Sequence, residues 1–392
     1  MVDLEKIAYK PIPVRDILLE LKDISELMVD LAYSSALFHS RELAEEVMEL
    51  ESRVDALIYI LEMNLMLAAR RVEDAEALVG ISRIALAVDL MTNAAADIAL
   101  LVLKDIGIHP IVREAFRKVG ERIVRVEVKG DSDLIGMELG DVEPWVEVIA
   151  IKRGRTWIIY PDDDVKIESG DILIARGASE EVMELAEIAG DKTSELEEIG
   201  VSGAHLKAIA DRLVELKNIS ELMIDLAYSS LLLNSRELAE EVMELEEYMD
   251  DLHTEYELQV LSSGFNPTES KDYLGLIRIG VVAEELADSA AEIAEIVLRG
   301  LKPHPVIKLV MEEADEKVVK VQVSEKSPLV GKTLKEARIP EETGMWVLAI
   351  KRNGNWIRPK PTTKIEVGDL IIASGYAEGE KDLAELASGV GF

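Results

Sequence analysis

An internal repeat is the feature of this sequence that most constrains its fold. The segment LKDISELMVDLAYSS at 21–35 returns as LKNISELMIDLAYSS at 216–230, and residues 40–51 return without a change at 235–246. The matches continue toward the end of the chain, where two Ile-Lys-Arg blocks and two Gly-Asp pairs recur after a small insertion in the second copy. The chain is therefore two homologous halves, and we expect the second half to repeat the fold of the first.

The first part of each half has the apolar periodicity of helices. In the first half, apolar residues step by three and four positions over 17–31, 43–61 and 81–98, which is the spacing of one helix face. Ser40 is predicted to cap the second helix through its hydroxyl group. The third run ends before the His109-Pro110 pair, because proline interrupts a helix. Three long helices with short connections predict an antiparallel bundle.

The second part of each half has the alternation of half-buried strands. Apolar and charged residues alternate over 123–128, 146–151 and 172–175, and Gly-Asp or Arg-Gly pairs separate these runs. A short helical pattern follows at 179–187. These features predict a small α+β domain after each bundle.

The predicted fold is thus of the α and α+β multidomain class, with two antiparallel helical bundles that are each followed by a small α+β domain. We place the first bundle at 1–108 and the first α+β domain at 109–190, with a charged linker at 191–207. The second bundle is predicted at 208–303 and the second α+β domain at 304–392.

Composition excludes several classes of function. The formal net charge is −34 and there is no cysteine, so nucleic acid and anionic membrane surfaces are poor partners, and disulfides and thiolate metal sites are excluded. The N-terminus has no secretory pattern, and the apolar stretches are shorter than the ~20 residues of a membrane span. We therefore expect a cytoplasmic protein without membrane insertion. No nucleophile with its base is recognisable, and the five histidines lack metal-ligand spacing, so we expect no enzyme.

The second part of each half resembles the TrkA-C family, the C-terminal family of regulators of potassium conductance. The resemblance rests on three blocks and their counterparts: Ser132 with Leu134-Ile-Gly136, Val148 to Arg153 and Gly170 to Ile174, then Ser327 with Leu329-Val-Gly331, Val347 to Arg352 and Gly368 to Ile372. The helical part resembles the PhoU family in the segments 30–35, 47–55 and 277–294. The whole chain is similar to soluble archaeal proteins that join PhoU and TrkA-C domains.

This resemblance implies a regulatory, ligand-sensing protein for cation transport, above all of potassium. Its partner would be a membrane cation channel or transporter, and its small-molecule ligand would bind where two TrkA-C domains pair. The pairing could occur within the chain or in a homodimer. No Gly-x-Gly-x-x-Gly motif occurs, so no dinucleotide site of that kind is expected. The alternative is a PhoU-type adaptor of a transporter that responds to metal or phosphate.

Local clusters of basic and aromatic residues are the candidate site for an anionic ligand. Related TrkA-C domains bind a cyclic dinucleotide, which needs cationic donors and a stacking surface. The candidates are Lys152, Arg153, Arg155 and Trp157 in the first half, and Lys351, Arg352, Trp356 and Arg358 in the second. The alternative interpretation is an ordinary charged hairpin whose tryptophan fills the core. Gly331-Lys332-Thr333 imitates a phosphate-binding loop, but it lacks the upstream glycine and is interpreted as a turn.

Paired carboxylates on the helices are the candidate site for a divalent metal. Acidic residues four positions apart share one helix face, where their oxygens can ligate a hard cation. The pairs are Glu51 with Asp55, Glu246 with Asp250, and Glu284 with Asp288, and the first-half counterpart of the last pair is Asp89 with Asn93. Glu284 and Asp288 best match the Glu-x-x-x-Asp metal motif of the PhoU family. The alternative is a solvated face, which is common in so acidic a chain.

Overall fold

The computed structural model describes the whole chain except 1–8, 107–121, 143–145, 155, 160, 178, 192–203, 265–269, 301–315, 358, 360–361, 377–378 and 390–392. Both His-Pro pairs and most of the predicted linker lie outside the described residues. The helix that opens the second half nevertheless begins at Ala204, inside the range predicted as linker.

The first half contains three long helices and a small sheet in the predicted order. The helices are α1 (Val14–Phe38), α2 (Arg41–Ala68) and α3 (Val72–Leu103). The strands are β1 (Arg122–Glu127), β2 (Glu147–Arg153), β3 (Thr156–Ile159) and β4 (Ile172–Gly177), with a 3₁₀ turn at Leu139–Asp141 and helix α4 (Ser179–Ile188) after the sheet.

The second half repeats this order, with a short helix in place of the 3₁₀ turn and a further short helix after it. Its long helices are α5 (Ala204–Leu232), α6 (Arg236–Ser262) and α7 (Ser270–Leu298). Strand β5 (Glu316–Gln322) is followed by the short helices α8 (Leu334–Ala337) and α9 (Ile339–Thr343), then by β6 (Met345–Arg352), β7 (Asn355–Ile357), β8 (Leu370–Tyr376) and helix α10 (Gly379–Ser388). Helices α8 and α9 were not predicted.

Local residues explain where several helices begin. The predicted cap at Ser40 is confirmed, since the Leu43 amide donates to Ser40 Oγ at 3.2 Å. Ser235 repeats this contact in the second half, where it accepts from the Leu238 amide at 3.3 Å. The segment that imitates a phosphate-binding loop ends instead in a capping box, because Thr333 starts α8 and exchanges hydrogen bonds with Glu336.

Each α+β domain is a four-stranded antiparallel sheet that is covered on both faces. The strand orders are β1-β4-β2-β3 and β5-β8-β6-β7. In the first sheet, Ile151 and Leu173 share a core with Leu185 of α4. The other face, including Ala150 and Trp157, belongs to the core of the helices. Each sheet is therefore docked on helices, and no described element of one sheet domain packs extensively against the other sheet domain.

The two helical bundles pack against each other instead of standing apart. Helices α3 and α7 are in extensive contact, and the buried apolar side chains of all six long helices form one continuous core. Ser25 Oγ lies 3.0 Å from Tyr228 Oη, and Tyr33 Oη lies 3.4 Å from Ser220 Oγ. Because residues 25 and 33 correspond in the repeat to 220 and 228, these contacts are reciprocal and define an approximate two-fold relation between the halves.

Helix α3 is long and apolar enough to span a membrane by length and composition alone. Its most apolar window, within Asp74–Leu103, is 61% buried inside the structure. A core helix of a soluble protein passes the same test, so this finding is weak evidence for a membrane span.

Candidate metal centre and the contacts between sheets and helices

Three carboxylates converge at the contact between α6 and α7. Glu246 and Asp250 lie one turn apart on α6, and Asp288 faces them from α7. Their ligand oxygens all lie within 4.8 Å of one another. Within the described part of the chain, this is the one group of three or more such side chains at that spacing. Oxygen ligands clustered in this way suit a divalent cation.

Glu284 lies beside this cluster, one turn before Asp288. Its pKa is raised to about 7, chiefly because burial removes water from the carboxylate and also because Asp288 and Asp250 repel its negative charge. Burial and neighbouring carboxylates also raise the pKa values of Glu246 and Asp288. Mutual repulsion of this kind is relieved when a proton or a cation binds.

A close helix contact sets the distance between α6 and α7 at this point. The Tyr256 ring lies so near Gly280 that a Cβ atom there would be 2.5 Å from Cε1 of the ring. The Tyr256 hydroxyl group donates to the Leu276 carbonyl oxygen at 2.9 Å. The missing side chain at Gly280 therefore permits the close approach of the two helices near the carboxylates.

The first half does not reproduce the cluster. Burial and the negative charges of Asp55 and Asp89 raise the pKa of Glu51. The three predicted acidic residues are therefore close enough to repel one another electrostatically. They are not among the groups whose oxygens approach within 4.8 Å. In the first half, Asn93 stands at the position that corresponds to Asp288. The first half therefore lacks the third carboxylate, which α7 supplies in the second half.

Basic residues that the sequence suggested for an anionic ligand join the sheets to the helices. Lys152 on β2 forms an ion pair with Glu46 and another, at 2.7 Å, with Glu49, both on α2. The counterpart Lys351 on β6 pairs with Glu241 on α6. We call these three contacts the sheet–helix ion pairs. Desolvation lowers the pKa of Lys152, but its bonds to Glu46 and Glu49 outweigh this, so the net shift is upward.

The neighbouring arginines are held within their own domains. Arg153 donates to both carboxylate oxygens of Asp171 at 2.9 and 2.8 Å, and Arg352 does the same with Asp369 at 2.8 Å. Both aspartates are almost fully buried, and each is the second residue of a Gly-Asp pair. These bidentate pairs pin the turn to the strand. Arg155 and Arg358 lie outside the described residues.

The two tryptophans lie against the same lysines. Lys152 Nζ is 5.5 Å from the centre of the Trp157 ring, and Lys351 Nζ is 5.3 Å from that of Trp356. Trp356 Nε1 donates to Glu241 at 3.0 Å. Trp157 is 8% exposed, and its Nε1 makes no hydrogen bond in the described structure.

The acidic partners of these cations were not predicted from the sequence. Glu46 and Glu241 lie in the identical block at 40–51 and 235–246, but nothing local to that block signals that it faces a sheet. Asp225, a half-buried residue near Glu26 and Asp30 of the other half, was also not predicted, and desolvation raises its pKa well above the usual value.

Family models identify the domains that this geometry describes. The TrkA-C domain model matches 123–190 and 318–388, and the PhoU domain model matches 213–297. The chain is therefore a protein of PhoU-like and TrkA-C architecture, built of domains whose role is regulatory and not catalytic. In this chain the architecture is an internal duplication of a helical bundle and a TrkA-C domain. No curated protein matches its sequence.

Solved structures show weaker likenesses. PhoU from Pseudomonas aeruginosa is 14% identical with a TM-score of 0.41, over 73% of this chain and 96% of that one. The GsuK channel bound to NAD is 12% identical with a TM-score of 0.18, over 79% of this chain and 65% of that one. The GsuK RCK domain gives the same identity and TM-score over 79% and 78%. At these scores the likenesses carry no argument about function.

Proposed function

We propose that this protein is a cytoplasmic regulator of cation transport that responds to a divalent cation bound between α6 and α7. The observation that carries the proposal is the convergence of Glu246, Asp250 and Asp288, with Glu284 beside them. Without a cation these like charges repel one another, so a cation gains both its ligands and the relief of that repulsion. The geometry thus favours the metal-responsive alternative among the functions considered from the sequence.

Coupling to a partner would follow from the position of the site. A cation shared by α6 and α7 would tie the two helices together, and α7 is the helix that packs against α3 of the other half. Binding would therefore bias the packing of the two bundles, since a ligand stabilises the arrangement that completes its coordination. The surface that changes would be read by a membrane cation channel or transporter, with potassium as the first transport substrate to test.

Metal titration of the purified full chain tests the proposal. We expect isothermal calorimetry with Mn²⁺ or Mg²⁺ to show saturable binding that the D250N/D288N double variant abolishes. The matched control is D55N, because Asp55 holds the position of Asp250 in the half that lacks the third carboxylate. Binding that survives D250N/D288N, or that D55N removes equally, would refute the site.

A second candidate function is the sensing of an anionic small molecule where each sheet meets the helices. The supporting observation is the Trp157 indole group, whose buried Nε1 makes no hydrogen bond in the described structure although it lies beside Lys152. A cyclic dinucleotide there would have to displace Glu46 and Glu49 from Lys152, which would loosen the sheet. Since the described sheets do not pair within the chain, paired TrkA-C domains would require a homodimer. Calorimetry with cyclic dinucleotides, and sedimentation with and without them, tests this function.

A further inference from the structure

A small cleft opens between α3 and α7, where the two halves of the chain meet. Its volume is about 120 Å³, which is small beside the ~300–1,000 Å³ of clefts that hold drug-sized ligands. Its apolar lining includes the buried side chains of Leu101 on α3 and Val282 on α7. Four exposed charged side chains also line it, namely Asp97, Lys104, Arg278 and Glu285. The cleft therefore combines an apolar wall with charges of both signs.

The repeat supplies a closed counterpart of this cleft. Arg83, in the first part of α3, forms ion pairs with Glu292 and Glu295 in the last part of α7. Arg278 is the repeat counterpart of Arg83, but Leu100 stands where the other side has Glu295. Within the described residues, Arg278 forms no ion pair and no side-chain hydrogen bond. One side of the contact between α3 and α7 is thus closed by ion pairs, and the other side is open.

The charges of the open cleft are sorted by sign. Burial and the negative charge of Asp97 raise the pKa of Glu285, so these two carboxylates lie close to each other across the cleft. Lys104 follows Asp97 by seven residues and Arg278 precedes Glu285 by seven, which is about 10 Å along each helix. Because the last part of α3 meets the first part of α7 here, both displacements point to the same end. The cleft therefore has an acidic end and a basic end.

We propose that this cleft binds a small zwitterion whose carboxylate group and ammonium group are joined by a short apolar chain. The carboxylate group pairs with Lys104 and Arg278, and the ammonium group pairs with Asp97 and Glu285. The methylene groups between them pack on the apolar wall. The ligand links α3 to α7 by charge, as the ion pairs of Arg83 do on the closed side, and so stabilises one arrangement of the two halves. This inference goes beyond the proposed response to a cation, because the cleft lies between α3 and α7 and not between α6 and α7.

Calorimetry of the full chain with matched compounds tests the chemistry of the ligand. The probes are γ-aminobutyrate and ε-aminocaproate, and EDTA is present so that no divalent cation contributes. We expect saturable binding of at least one of these amino acids. Caproate and hexylamine each lack one of the two charges, so they should bind at least about tenfold more weakly.

Three variants test the location of the site. R278Q removes a partner of the carboxylate group and should weaken binding at least about tenfold. L100E copies Glu295 and gives Arg278 a partner within the protein, so it should abolish binding. The matched control is R83Q, the same substitution at the repeat counterpart, which should leave the affinity unchanged. Thermal unfolding of each variant verifies that it folds.

Each contrary outcome refutes a stated part of the inference. If neither amino acid binds, the cleft is not a site for this class of ligand. If caproate or hexylamine binds as tightly as the amino acids, the zwitterionic class is wrong. If R278Q or L100E binds like the wild type, or if R83Q loses binding as R278Q does, the cleft is not the site. Since EDTA is present throughout, none of these results depends on the proposed cation site, which is tested separately with Mn²⁺ or Mg²⁺.

Discussion

At Gly280 the packing of α6 on α7 leaves no room for a Cβ atom. We expect G280A to lower the free energy of unfolding by about 1–3 kcal/mol, because its Cβ would overlap the Tyr256 ring in a packed core. Urea denaturation monitored by circular dichroism measures this loss. The double variant G280A/Y256L copies the first-half pair Ala85 and Leu61 and should recover part of it. A fully additive double variant would contradict the close contact.

The raised pKa of Glu284 makes a prediction about pH. The ordinary pKa of a glutamate is 4.5, and a carboxyl group whose pKa is about 7 when folded binds more protons in the folded state between those two values. Stability of the metal-free protein should therefore fall as pH rises through that window. The E284Q variant should not show this pH-dependent loss of stability. Thermal unfolding of both proteins at about pH 5 and about pH 8 measures the difference, and parallel pH profiles would contradict the assignment.

A bound cation should reverse this pH effect. Metal binding requires ionised carboxylates, and the pKa values of Glu246 and Asp288 are raised, so protons compete with the cation more strongly at acidic pH. We expect saturating Mn²⁺ to raise the melting temperature of the wild type more at about pH 8 than at about pH 5. In the D250N/D288N variant the ion should have little effect at either pH. An equal rise at both pH values would contradict competition at this site.

At the scale of elements, each sheet is attached to its own bundle by charge pairs at the edge of an apolar contact. In the second half, Glu241 both pairs with Lys351 and accepts from Trp356 Nε1. We expect E241A to lower the free energy of unfolding by about 1–3 kcal/mol, since it leaves two partly buried donors without their acceptor. Hydrogen exchange should also become faster in β6 and β7.

The matched control for E241A is E240A. Glu240 is the adjacent exposed residue of α6 and pairs with Arg236 on the helix surface. Such a pair contributes about 0–1 kcal/mol, so E240A should leave the sheet's hydrogen exchange unchanged. Faster exchange of β6 and β7 in both variants would show that the effect is not specific to the sheet–helix ion pairs.

The elements were predicted from sequence better than the contacts between them. The spacing of apolar residues, and the Gly, Asp and Pro residues between the apolar runs, indicated the helices α1 to α3 and the strands β1, β2 and β4. These signals are local to each element. The metal candidates Glu246, Asp250 and Asp288 were named from spacing and resemblance. Lys152 and Lys351 are candidate donors to an anionic ligand or part of an ordinary charged hairpin by sequence, since no sequence pattern shows that a carboxylate on a distant helix faces them.

At the scale of the molecule, the two halves share one apolar core and so should unfold together. We expect a single cooperative transition of the six long helices in urea. Loss of one reciprocal hydrogen bond by S25A should lower the free energy of unfolding by about 0.5–1.5 kcal/mol. S220A should have a smaller effect, because its contact with Tyr33 is 3.4 Å and not 3.0 Å. Two separate transitions, one for each half, would contradict the shared core.

The sequence by itself determined the duplication, the element order and the regulatory class of the domains, because these depend on repeats, periods and motifs along the chain. The tertiary structure alone decided that the bundles fuse through α3 and α7, that the sheets lie on helices and not on each other, and that one half has a complete carboxylate cluster. Those outcomes depend on which faces meet in space. Faces from segments far apart in sequence meet by shape and charge complementarity, which no local pattern encodes.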